Sequence, residues 1–324
     1  MTWLTWRLHR TEAAIGILLF ASLIAIMLMG INSVNSAYDA AHDGSCSDNG
    51  NAQSPLCIER ENAYFVRSGR WGNLTTLLHG VPLVVAVLLT ISTLQELERG
   101  THRLAWTQSI SRRRWSLSRL GFAVGISTLV AVVWIVMAMN WRSSILRGPA
   151  RSFNRNVFDL SPGVLIGYAL FAVALAFAAA VVVRRVVPVL ALTAAGFLGT
   201  RIVTTFVLRP HYRRPIEETA AAATDVGQFT SFENRWMLDE SWLSRTGERL
   251  SWDRVNQLCP LGGDGLTQQT DYRRCLVDNG LQYFRVFQPS DRVVQFQLIE
   301  AALYLAAAVV LFTVAYWWLT RRPA

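Results

Sequence analysis

The stretch ELERGTHRLAWTQSISRRRW, Glu96 to Trp115, lies directly between two long apolar runs, Leu77 to Leu94 and Leu120 to Met139. Charged side chains are costly in hydrocarbon, so if the flanking runs cross a bilayer the stretch rests at one of its faces, within reach of a soluble partner. Four more apolar blocks complete the pattern: Ala13 to Ile31, Gly163 to Val183, Val186 to Leu208 and Phe296 to Leu319. Each approaches the roughly 20 residues that a helix needs to cross about 30 Å of hydrocarbon. Apolar residues make up 52% of the 324-residue chain and are gathered in these blocks, which favours a membrane protein over a large soluble domain. Lipid offers loose backbone groups no partner, so the blocks read as six helical spans and the expected fold class is all-α integral membrane.

The block Leu77 to Leu94 is the weakest, because it opens with His79, Gly80 and Pro82, and omitting it would invert everything after it. Charge arbitrates. All 31 basic residues are Arg. With the N-terminus inside, the inner face carries 12 of them: Arg7, Arg10, Arg99, Arg103, Arg112, Arg113, Arg114, Arg119, Arg184, Arg185, Arg321 and Arg322, against the three acids Glu12, Glu96 and Glu98. The outer segments hold 18 Arg and 18 acids, and Arg201 and Glu300 inside spans cancel, so the whole formal charge of +9 falls on the inner face. This is the positive-inside pattern. Only the short loop Asn140 to Pro162 departs from it, with Arg142, Arg147, Arg151 and Arg155 outside. Membrane orientation accounts for the basic total without a nucleic acid partner. The expected location is the plasma membrane, multi-pass, with both termini and the Glu96 to Trp115 stretch in the cytoplasm.

Cysteine placement is an independent check on that orientation. Cys46, Cys57, Cys259 and Cys275 all fall in segments assigned outside, where disulfides persist. Four cysteines allow three pairings, and the local ones, Cys46 with Cys57 and Cys259 with Cys275, are favoured over free thiols. No CxxC or CxxH spacing supports zinc, and no metal site is expected.

The chain is accordingly divided into a membrane domain over residues 1–208, with an outer loop at 32–76 and a cytoplasmic segment at 95–119, an extracytoplasmic insert at 209–295, and a sixth span with a cytoplasmic tail at 296–324. At the start, Trp3 and Trp6 beside Arg7 and Arg10 suit an interfacial anchor; a cleaved signal peptide is the rival reading. The loop 32–76 reads as a small stapled cap, with DGSCSDNGNAQSP as its most turn-like part. The insert reads as largely helical. RPIEETAAAATDVG, Arg214 to Gly227, has Ala and Glu between a Pro start and a Gly stop, and a second helical stretch falls near Tyr272 to Val277.

Two charges lie inside spans at comparable depth, Arg201 in the fifth and Glu300 in the sixth. An ionised group in the membrane is usually paired or faces a polar cavity, so the two are expected to lie close together; the alternative is that each snorkels to the outer interface alone.

At Glu96 to Trp115 the residues themselves are informative. Glu96 and Glu98 before Gly100-Thr101, RLAWTQS at Arg103 to Ser109, then Ser111-Arg112 and Trp115, resemble the permease subunits of ABC type-2 exporters of an actinobacterial group. The likeness extends to the MTWLTWR start, to Arg209-Pro210, and to QPSDR at Gln288 to Arg292 before QLIE at Gln297 to Glu300. It implies an ABC type-2 exporter arrangement, in which the segment between spans two and three forms a coupling helix that docks into a separate cytoplasmic ATPase subunit. It also implies a dimer, with spans one, two and five lining the interface.

The residues fit that role. Gly100 permits a tight turn, Thr101 can cap the helix after it, and Leu104 and Trp106 offer apolar anchors. Arg103 and Arg112 to Arg114 can meet acidic residues of the ATPase; alternatively the Arg cluster touches anionic headgroups of the lipid bilayer. The implied coupling set is therefore Glu96, Glu98, Gly100, Thr101, Arg103, Leu104, Trp106 and Arg112.

The chain lacks a GxxxxGK[ST] loop, so ATP and Mg would be bound by the partner and no cofactor by this chain. No HExxH or GxSxG motif is present, and the five His residues are scattered and read as structural or solvated, so enzyme is the least supported class. The expected function is the membrane subunit of an ATP-driven exporter, a homodimer moving an unidentified substrate outward; an amphipathic or drug-like compound suits the span faces, and peptide and lipid-like cargo stay open. The alternative is a non-transporting, membrane-anchored ectodomain protein, a sensor or envelope scaffold, which leaves the hinge motif unexplained.

Overall fold

A computed structural model describes residues 2–47, 54–100, 111–147, 153–221, 235–260 and 266–321. Among the described residues six helical stretches are long and apolar enough to cross a membrane: Ala14–Ala41, Pro55–Ile91, Arg113–Leu146, Pro162–Val183, Val186–His211 and Ser290–Arg321. Each contains or overlaps one of the six apolar blocks, so the all-α, six-helix membrane class holds. The helices are α1 (Thr2–Ala41), α2 (Gly44–Ser47), α3 (Pro55–Gly72), α4 (Thr75–Leu78), α5 (Val81–Glu98), α6 (Arg112–Trp141), α7 (Arg155–Phe158), α8 (Pro162–Val183), α9 (Val186–Val203), α10 (Trp252–Leu258), α11 (Leu266–Asp278) and α12 (Val293–Arg321). The chain divides into two compact units, one of residues 1–148, 155–204 and 297–324 and one of residues 149–154 and 205–296.

In the first, membrane-spanning unit, α8 is the buried centre. It is apolar on every side, and Val164, Ala172, Val173 and Ala180 are fully covered, as expected of a helix surrounded by others. The remaining spans show wide apolar faces outward, including Leu18 at 69%, Val187 at 76% and Val309 at 64% exposure, which is how a lipid-facing surface reads once water is replaced by hydrocarbon. Gly167 lets α8 and α12 approach closely: a Cβ there would lie 3.2 Å from the Tyr304 Cβ and 3.3 Å from the Ala301 carbonyl oxygen.

The loop expected at 32–76 is more ordered than its turn-rich composition suggests. α1 continues to Ala41, about 60 Å at 1.5 Å per residue, and packs against α3 as a helical hairpin. The reason is a periodic apolar stripe past the first block: Val34, Ala37 and Ala41 are buried in one cluster with Tyr64 of α3 and Trp141 of α6. Ser54 caps α3 by accepting a hydrogen bond from the Cys57 N–H at 3.3 Å, and Pro55 follows as the first helical residue, where its missing N–H costs nothing. Cys46 and Cys57 meet at disulfide distance, with Cα atoms 5.6 Å apart, and close the hairpin. Beside them Arg60 pairs with Asp43 at 2.8 Å. The Ser45 hydroxyl and N–H, together with Arg60, hold the Asp43 carboxyl below its ordinary value.

The second unit corrects the expectation of a largely helical insert. It contains an antiparallel sheet of β1 (Ile216–Ala221), β2 (Arg235–Leu243), β3 (Arg249–Leu250) and β4 (Gln282–Pro289), in the order β1-β4-β2-β3, beside α10 and α11. The Ala- and Glu-rich start of Arg214 to Gly227, expected as a helix, is strand β1, with Ile216 opposite Phe287 and Ala221 opposite Gln282; residues 222–227 lie outside the described residues. Pairing to β4 supplies every strand residue with a neighbour that helix propensity cannot anticipate. Glu218 confirms the register by pairing with Arg235 of β2 at 3.2 Å and Arg285 of β4 at 2.8 Å. The stretch Tyr272 to Val277 is helical as expected, within α11. The unit's core gathers Trp242, Val255, Cys259, Leu276, Leu281 and Tyr283, with Cys259 and Cys275 at disulfide distance, Cα atoms 5.7 Å apart. Burial, and the hydrogen bond that Tyr283 donates to Glu240 at 2.6 Å, push the Tyr283 phenol upward.

Candidate functional site

Two places in the membrane-spanning unit concentrate polar chemistry. The first is a buried ionic cluster built from five segments. α9 carries Arg201, held at 5% side-chain exposure, and α12 carries Glu300 at 0%; their closest N–O distance is 3.5 Å. The structure therefore brings together the two intramembrane charges singled out in the sequence. It also brings a third. Asp159, just past α7 and fully covered, is in direct contact with the Arg201 guanidinium through Oδ2. Tyr168 of α8 donates to Glu300 and lies 3.3 Å from Asp159 through the same hydroxyl, and its ring sits 3.9 Å from the Arg201 Cζ, a cation–π stack. His79, between α4 and α5, places Nε2 3.7 Å from Asp159 Oδ2, and Arg155 approaches the same oxygen at 3.5 Å. Below the cluster the Tyr304 hydroxyl donates to Thr204 at 3.1 Å.

Electrostatically the arrangement follows from where it sits. A guanidinium out of water is tolerable only when its donors and charge are met, and carboxylates on both sides plus an aromatic face do that. Asp159 falls within the short segment Asn140 to Pro162, which its hydropathy assigns to a loop. Its chain neighbours Phe158 and Leu160 are buried with it, which only the packed structure shows. His79 was visible only as a polar interruption at the weak start of span two.

The second place is the pair of helix ends that flank the 95–119 segment. Glu96, near the end of α5, pairs with Arg119 of α6 at 2.5 Å, with side chains 20% and 15% exposed. The Glu96 carboxylate thus ties the two helices together, and Arg119, not in the expected coupling set, is its counterpart. Arg119 also lies 5.8 Å from the ring of Trp115, which is buried with Leu94, Leu97 and Leu319. Glu98 and Arg99 are exposed beyond it. Gly100 has φ +72°, the left-handed conformation that ends a helix and that glycine adopts without strain. Ser111 caps α6 by accepting from the Arg114 N–H at 3.3 Å. Arg112 opens α6, and its side chain lies outside the described residues, as do Thr101, Arg103, Leu104 and Trp106.

Among the described residues no cluster of His, Cys, Asp and Glu is arranged to hold a metal. A six-helix membrane unit with a tied hinge between spans two and three defines the class as a multi-pass membrane protein. Residues 17–209 match the family model described as ABC-2 membrane transporter related, and the chain belongs to that family. It is therefore a membrane component of an ABC transporter, the permease rather than the ATP-hydrolysing part, and the family implies an ABC ATPase as partner. The match covers spans one to five and stops before β1. No curated protein and no solved structure matches the chain.

Proposed function

We propose that this permease is the membrane half of an exporter: two copies form the path, each bound to a cytoplasmic ATPase that carries ATP and Mg and docks on residues 96–115. The observation that carries this reading is the family match over residues 17–209, which encloses the hinge and both flanking spans. The ion pair between Glu96 and Arg119 supports it, because a segment whose two helical roots are tied transmits a push as a unit rather than flexing. Exposed Glu98 and Arg99 present charge at its entrance, and Leu104 and Trp106 supply the apolar anchors. Inner-face Arg and outer cysteines support a cytoplasmic hinge.

The test is co-expression with the ATPase, followed by affinity capture and measurement of ATP hydrolysis by the complex in nanodiscs. Leu104→Asp with Trp106→Asp should abolish capture and the stimulation of hydrolysis while leaving the permease monodisperse. Undiminished capture and hydrolysis would overturn the docking role.

A further inference from the structure

We propose that His79 and Asp159 form a proton-binding site inside the membrane-spanning unit, taking up a proton on acidification and so making the junction between α4 and α5 sensitive to pH. This goes beyond the permease reading and does not depend on it.

The geometry points there in three steps. His79 Nδ1 lies 2.8 Å from the Thr75 carbonyl oxygen. A carbonyl only accepts, so Nδ1 carries a hydrogen and the other nitrogen, Nε2, is the one that gains or loses a proton. Among the described residues that nitrogen has no hydrogen-bond partner, and it stands 3.7 Å from Asp159 Oδ2, with side-chain exposures of 11% and 0%. An unprotonated Nε2 faces the carboxylate as one acceptor faces another, which is repulsive where water is scarce. A proton on Nε2 turns the same approach into a charge-assisted hydrogen bond.

The groups around the pair oppose one another. Asp159 favours the charged imidazole, whereas Arg201 of α9, in contact with Asp159, and Arg155 of α7, 3.5 Å from it, disfavour it. Across the cluster stand Tyr168 of α8, and Glu300 and Tyr304 of α12. From α6, the Trp141 Nε1–H donates to the Thr75 hydroxyl at 3.0 Å and fixes the turn that positions the imidazole. Arg155, 3.5 Å from Asp159 Oδ2, is itself 54% exposed. His79 immediately precedes Gly80, which caps α5, the helix whose other end carries Glu96.

The test uses the full-length protein in phosphatidylcholine nanodiscs, with carbon-13 at Cε1 of its five His rings. The His79 signal is assigned by its disappearance in His79→Gln. It should titrate reversibly on acidification, as an imidazole facing a carboxylate does. Arg155→Gln should move its midpoint upward and Asp159→Asn downward, each by roughly one pH unit. Arg155 is largely exposed, so its variant keeps the test alive if Asp159→Asn fails to fold. A His79 signal that does not titrate on acidification, or a midpoint unmoved by Arg155→Gln, overturns the proposal.

Discussion

Replacing Arg201 by Met is the most informative perturbation of the buried cluster. The guanidinium reaches Glu300 at 3.5 Å, contacts Asp159, and stacks on Tyr168 at 3.9 Å. At an effective dielectric near 20, one charge pair at that separation gives about 5 kcal/mol of gross attraction, most of it offset by the desolvation of both groups. Removing one partner keeps the desolvation and discards the attraction, so the expected net loss is about 3–5 kcal/mol. The assay is unfolding in mixed micelles by sodium dodecyl sulfate, followed by the fluorescence of the 12 Trp residues. Double-mutant cycles then apportion the loss. Arg201→Met combined with Asp159→Asn should be less destabilising than the sum of the singles by about 1–3 kcal/mol, and the combination with Glu300→Gln by less, because its contact is longer. Additivity within about 0.5 kcal/mol in both cycles, or a loss from Arg201→Met below about 1 kcal/mol, would refute the reasoning.

Three further outcomes are expected. Cys259→Ser with Cys275→Ser opens a bridge spanning 16 residues and should weaken the sheet-containing unit by about 2–4 kcal/mol, seen as faster proteolysis within 205–296. Gly167→Val forces a branched side chain into the 3.2 Å gap to Tyr304 and should cost about 1–3 kcal/mol in the detergent assay, with Gly167→Ala milder. Asp43 has a carboxyl lowered from its ordinary 3.8 chiefly by the Ser45 hydroxyl; a depressed carboxyl contributes stability above its unfolded value and loses it as pH falls through the folded one. Hydrogen exchange of the α1–α3 hairpin should therefore accelerate below about pH 4 in the native protein and lose that acid sensitivity in Asp43→Asn.

The hinge and the cluster differ in how far the sequence exposes them. Glu96 reads as a docking residue from its spacing to Gly100-Thr101, yet its pairing with Arg119, 23 positions on, turns it inward as a tie between α5 and α6. Glu98, two residues later, is exposed. In the cluster, depth along a span is legible, which is why Arg201 and Glu300 could be matched from their distances to the outer end. Asp159 and His79 lie at segment ends that hydropathy assigns to a loop and to a weak span start, so nothing local marks them as buried.

What the sequence by itself determines is the membrane class: six apolar blocks of spanning length, their helicity, and the hinge motif that the family match encloses. Those follow from local composition, because hydrocarbon imposes the same length and backbone requirement on every span. Only the tertiary structure decides that Arg214 to Ala221 leads into a strand rather than a helix, and that five segments converge on Arg201. Strand pairing joins residues about 70 positions apart, and the contact of Arg201 with Glu300 joins residues 99 apart. Such contacts depend on which faces the packed helices and strands present to one another, and no local window of the chain encodes that.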